Sequence, residues 1–174
     1  MKHKVSILTL LAFLLMSCAV YAVPTDITVK VKTKDAKFMG TSMGGALITI
    51  KNADTGELLA KGITQGSTGN TKLIMKSPWT RGVPISTGAA EFKATIDIDE
   101  PTLIEITAYG PLAQRQSANR ASVTQWVVPG KHIVNGDAFM IEIPGLVVDV
   151  LSPPTHIKYK GATEVPIKVN VAMM

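Results

Sequence analysis

Few residues in this chain could do acid–base or metal chemistry, and they lie far apart. Beyond the N-terminal segment treated below there are two histidines, His132 and His156, and no cysteine. A metal centre needs three or four convergent ligands. Neither an H-x-H nor an H-E-x-x-H spacing occurs to supply them. His132 ends the turn-like run Pro129-Gly130-Lys131-His132, and His156 follows Pro153-Pro154-Thr155, so both are expected in exposed loops. Ser42, in Gly40-Thr41-Ser42-Met43-Gly44, has the outline of a nucleophile turn but not the helix that should follow it. Asp97, Asp99 and Glu100 form a small acidic cluster, expected as a solvated hairpin turn; it lacks the twelve-residue calcium-loop pattern. Gly66-Ser67-Thr68-Gly69 has no following Gly-Lys-Ser/Thr, so it is expected as a flexible turn and not a phosphate loop. No catalytic residue, metal site or cofactor is assigned.

The remaining candidates are recognition residues. Trp79 and Arg81 lie in Gln65 to Ala90, a stretch rich in Gly, Ser, Thr and Pro. Arg115, Gln116, Asn119 and Arg120 lie in the polar run Gly110 to Arg120. Exposed aromatic and Arg side chains are frequent interface anchors, and long irregular segments in compact domains are often functional. Trp126 sits in an apolar run and is expected in the core. The partner expected for such surfaces is another envelope protein or a glycan.

The elements that must position these residues begin after an address label. Lys2, His3 and Lys4 precede a twelve-residue apolar run, Val5 to Met16, and then Ser17-Cys18-Ala19-Val20-Tyr21-Ala22. That is the order of a secretory signal peptide. The apolar run falls short of the roughly 20 residues of a membrane span. Val20-Tyr21-Ala22 places cleavage after Ala22. Leu15-Met16-Ser17-Cys18 is similar to a bacterial lipobox, with Met16 in place of the usual small residue; on that reading Cys18 carries acyl chains and tethers the protein to a membrane. Either way the chain is expected in the periplasm or outside the cell. Cleavage at Ala22 leaves 152 residues, 23–174, with no cysteine. That is one domain's length, able to bury about 68–70% of its unfolded surface. Losing Lys2 and Lys4 lowers the basic count from 18 to 16 against 13 acidic residues, a net charge of +3. That charge is too mild and dispersed for a nucleic-acid binder.

Period-two patterning fills the rest. Asp26 to Thr33 alternates Ile27, Val29 and Val31 with polar residues, a half-buried strand. Ala46 to Lys51, the turn Asn52-Ala53-Asp54-Thr55-Gly56 and Glu57 to Thr64 read as a hairpin. Glu91 to Ile98 and Thr102 to Tyr109 flank Asp99-Glu100-Pro101. Ser122 to Val128 and Ala138 to Ile143 follow, the latter after the turn Asn135-Gly136-Asp137. Lys72 to Lys76 is a short-strand candidate. Leu146 to Leu151 is nearly all apolar, as expected of a central strand covered on both faces. Val165 to Val171 closes the chain, with Pro166 marking an edge or a strand start. About nine short strands and no long amphipathic helix predict a β-sandwich, with a closed barrel as the alternative.

Residues 44–71 carry Gly45-Ala46-Leu47-Ile48-Thr49-Ile50, then Thr55-Gly56, Ala60-Lys61-Gly62-Ile63-Thr64 and Gly66-Ser67-Thr68-Gly69. This grammar resembles carboxypeptidase-regulatory-like and transthyretin-like domains, which are immunoglobulin-like sandwiches. Glu91 to Tyr109 resembles their later strand pair, so the resemblance covers about half of residues 23–174. The Asp-x-x-Gly turn leading directly into an aromatic strand is missing. The resemblance implies a sandwich with a non-catalytic accessory or binding role and carries no site residues across.

Three functions follow as expectations. One is a non-catalytic binding or structural module of the bacterial envelope. A second is a subunit of a surface fibre or larger assembly, joined through unpaired terminal strands. A third, an envelope enzyme, requires His132, His156 and an acid in one cleft. The N-terminus offers the first test: mass spectrometry of the exported protein should find a free Val23 amine if cleavage follows Ala22, and an acylated Cys18 if the lipobox is used.

Overall fold

The computed structural model describes residues 21–161 and 164–174; the lipidation candidate Cys18 and the apolar run before it lie outside the described residues. The described residues form nine strands: β1 (Val23–Thr33), β2 (Leu47–Asn52), β3 (Leu58–Ile63), β4 (Phe92–Ile98), β5 (Thr102–Gly110), β6 (Asn119–Val127), β7 (Phe139–Ile143), β8 (Leu146–Ser152) and β9 (Lys168–Met173). They make three sheets, ordered β4-β1-β7, β3-β2-β5-β6 and β8-β9. The first two face each other as a β-sandwich, and no sheet closes into a barrel. No described helix is long and apolar enough to cross a membrane.

Alternation explains the packing. Ile27, Val29, Val31, Ile96 and Ile141 point inward from the three-stranded sheet. Ile48, Ile50, Ile104, Ile106 and Val127 meet them from the four-stranded one, nearly all without solvent contact. At one edge Phe92 packs over Gly62, where any Cβ would collide with the ring. The Asn52 turn forms as expected: its side-chain carbonyl accepts from the amides of Asp54 and Thr55, and β2 pairs with β3.

Several expectations are corrected. Asp99-Glu100-Pro101 does not close a hairpin. β4 belongs to the three-stranded sheet and β5 to the four-stranded one, so this turn arches between layers. Residues 71–75 form a one-turn helix, α1 (Thr71–Met75), because the Asn70 side chain caps the amides of Lys72 and Leu73. β1 is not half-buried and not an edge. It lies between β4 and β7, antiparallel to one and parallel to the other.

The outer side of β1 is covered by the first long loop. Phe38, Ile74 and Ala89, with Ile85 against them, make a small second core there. Thr28, Lys30 and Lys32 are about 95% buried beneath it. The Lys30 ammonium lies 3.0 Å from Asp137 Oδ1, over the Phe38 ring, and Asp137 Oδ2 accepts from the Ile85 amide. Lys32 reaches the Thr33 carbonyl and, at 3.4 Å, the half-exposed Glu142 carboxylate.

These two pairs differ in burial, so they should differ in worth. Asp137→Ala leaves a buried ammonium and the Ile85 amide unpaired and should lower stability by about 3 kcal/mol or more. Glu142→Ala should lower it by about 1 kcal/mol or less. Urea unfolding of both variants checks the ranking, and equal losses would contradict it.

Candidate interaction surfaces

The histidines are not brought to one centre. His132 lies beside the start of β1, where its Nδ1 accepts the Asp26 amide at 3.0 Å. Asp26 Oδ2 is 3.3 Å from that Nδ1, and Asp26 Oδ1 accepts from the Thr95 hydroxyl at 2.6 Å. A hydroxyl, a carboxylate and an imidazole thus adjoin, but in the wrong order for nucleophilic catalysis. The carboxylate stands between the hydroxyl and the base that would have to take its proton. Glu91 and Lys93 line the same depression; the Glu91 carboxylate, 2.9 Å away, raises the Lys93 ammonium above its usual range. His156 is exposed in the turn beyond β8, and among the described residues no three of His, Cys, Asp and Glu gather to hold a metal ion.

The other sequence candidates have local roles. Ser42 sits exposed in a 3-10 turn (Thr41–Met43) that leads into a strand, not a helix. Asp97, Asp99 and Glu100 are exposed at the interlayer arch. Gly66 to Gly69 is not a free turn: Ser67 Oγ donates to the Gly88 carbonyl and accepts from the Gly69 amide, and the Thr68 carbonyl accepts from the Phe38 amide. Trp79 donates its indole N–H to the Ile74 carbonyl and lays its ring 5.4 Å from the Lys32 ammonium, while half of it stays exposed. Arg81 is exposed beside it, along a depression bordered by Asn135 and Gly136.

The second long loop serves the C-terminal ribbon. A 3-10 turn, Arg115–Ser117, lies along the free edge of β8. The Ser117 hydroxyl donates to the Val148 carbonyl at 2.8 Å and accepts from the Val148 amide at 2.7 Å. The Gln116 side chain does the same for Val150, at 3.3 and 3.0 Å. Two side chains thus replace a neighbouring strand. Asn119 donates to the Ser117 carbonyl, holding the turn, and Arg120 stacks on Tyr109 at 5.5 Å. Arg115 is exposed at the turn's start.

That ribbon overturns the expectation for Leu146 to Leu151. Among the described residues β8 pairs only with β9, and they cover one of its faces, by way of Val147. The register sets Leu146 opposite Met173, Val148 opposite Val171 and Val150 opposite Val169. Directly opposed residues share a face, so six apolar side chains form one uninterrupted surface. Each is 43–67% exposed. Sequence reasoning found the apolar run but not this surface, because pairing partners fall outside any local window. Trp126 is also corrected. Register puts Val127 inward at 1% exposure and Trp126 outward at 59%.

The clamp gives a direct test. Removing both side chains in Gln116→Ala/Ser117→Ala should leave the sandwich folded and speed hydrogen exchange of the Val148 and Val150 amides about tenfold or more, since each lost bond is worth about 1 kcal/mol. Unchanged exchange at those two amides would show that the clamp does not hold β8.

No protein-family model matches this chain, and neither a curated protein nor a solved structure is significantly similar to it.

Proposed function

We propose that this chain is an exported, non-catalytic structural module of the bacterial envelope, a transthyretin-like or immunoglobulin-like sandwich that assembles with a second copy of itself through the β8-β9 ribbon. The six-residue apolar face carries this reading. Soluble monomers rarely expose contiguous apolar patches beyond a few hundred Å². The exposed parts of these side chains amount to roughly 500 Å² per copy, so two facing ribbons remove about 1,000 Å², the lower bound of a specific interface. Ile167, 70% exposed just beyond the last pair and at the same parity as Val169, continues it.

Charge supports the same occupant. The face holds no ionisable group, and the nearest charged residue of β9 is Lys168, at its beginning. Two copies can therefore meet without desolvating like charges. Face-to-face packing is favoured over edge-to-edge strand pairing, because joining two β9 edges would double the apolar surface and leave it bare. Each copy offers one such face, so the contact closes on itself as a two-fold dimer and does not propagate.

Sedimentation of the 23–174 chain at tens of micromolar should give twice the monomer mass. Val148→Lys/Val171→Lys should give the monomer mass with unchanged circular dichroism, since both positions are exposed. A wild-type monomer at high concentration, or larger open polymers, would overturn the dimer.

A further inference from the structure

The outer face of the four-stranded sheet carries a second surface that does not depend on the ribbon. Because Ile48, Ile50, Ile104 and Ile106 take the inward positions, the alternate residues all face out. Cross-strand register arranges them in rows. Lys61, Thr49, Thr107 and Ser122 form one row; Leu58, Lys51, Glu105 and Thr124 form the next, with Leu58 at its edge. The sheet is hollowed there into a depression lined by Thr49, Lys51, Lys61, Glu105, Thr107 and Arg120.

These polar groups are not occupied with one another. Lys51 stands directly across from Glu105, yet the two close no ion pair, and the hydroxyls of this face form no side-chain hydrogen bond with other described residues. Aromatic side chains bound the hydroxyl rows at both ends. Tyr109, with Arg120 stacked on it, lies in the row beyond Thr107; Trp126 lies in the row beyond Thr124. Tyr109 and Leu103, the cross-strand neighbour of Trp126, are six residues apart on β5, about 20 Å. Trp126 leaves 59% of its surface to solvent on this face. Three cations against one carboxylate give this face a charge of +2.

We infer that this face binds an acidic polysaccharide. Rows of unpaired hydroxyls exchange hydrogen bonds with sugar hydroxyls, the exposed Trp126 ring stacks on a sugar ring, and Lys51, Lys61 and the Arg120 held against Tyr109 meet the carboxylates. A span of 20 Å suits an oligosaccharide and exceeds a single sugar. A single-stranded nucleic acid would need aromatic platforms for successive bases, and the middle of this strip offers hydroxyls instead.

Fluorescence anisotropy of labelled oligogalacturonate with the 23–174 chain tests this, with neutral dextran, poly-L-glutamate and oligo(dT) as comparisons. Oligogalacturonate should bind at least tenfold tighter than the other three. Trp126→Ala should weaken binding about fivefold or more, Trp126→Tyr should restore most of it, and Lys51→Glu/Lys61→Glu should weaken it more than tenfold. Val148→Lys/Val171→Lys should bind like the wild type, which separates this site from the dimer. Equal binding of poly-L-glutamate or oligo(dT), no effect of Trp126→Ala, or no binding at about 1 mM would overturn the inference.

Discussion

Strand β1 is the constraint on which the sandwich depends, and the Lys30–Asp137 pair is what lets it be buried on both sides. A central strand between two layers would ordinarily be apolar throughout. This one presents two ammonium groups to its outer layer. Asp137 neutralises Lys30 and also accepts the Ile85 amide, so a single carboxylate fixes strand, loop and β7 approach together. The Lys32 ammonium meets a half-exposed carboxylate and an indole ring instead, an arrangement water still reaches. The loop covering both lysines is therefore structural, with Phe38 and Ile74 as its own small core.

What could be read from the sequence follows the range of each interaction. The inward sets on β2 and β5, Ile48 with Ile50 and Ile104 with Ile106, were legible because side-chain alternation is local. The Asn52 turn was legible for the same reason. The arch at Asp99-Glu100-Pro101 was not, since the same turn chemistry serves a hairpin and a crossing between layers; the choice is made by partners far along the chain. Lys30 and Lys32 looked like solvent residues because nothing local announces Asp137 more than a hundred positions away. Trp126 was misplaced because the flanking apolar residues hide which parity faces inward.

Strand β8 teaches a different lesson. Its composition is that of a strand covered on both faces, and the described residues cover only one. The side chains of Gln116 and Ser117 spend their hydrogen-bonding capacity on its edge, which seals that edge against further strands while leaving the apolar face open. Of the proposed recognition residues, Gln116 and Asn119 thus act inside the molecule. Arg120 stays on an outer surface, and Trp126, expected inside, joins it there.

The parallel pairing of β1 with β7 also bears on when the fold can form. Val29 aligns with Phe139, 110 positions later. The first strand to leave a ribosome must therefore wait for its parallel neighbour until four-fifths of the chain has emerged, although its antiparallel partner β4 begins at Phe92. Closing a loop that long is slow and entropically unfavourable. Until then β1 can pair with β4, and β2 with β3 and β5, but the three-stranded sheet stays incomplete. The same delay leaves the apolar run of β1 in need of protection along the way.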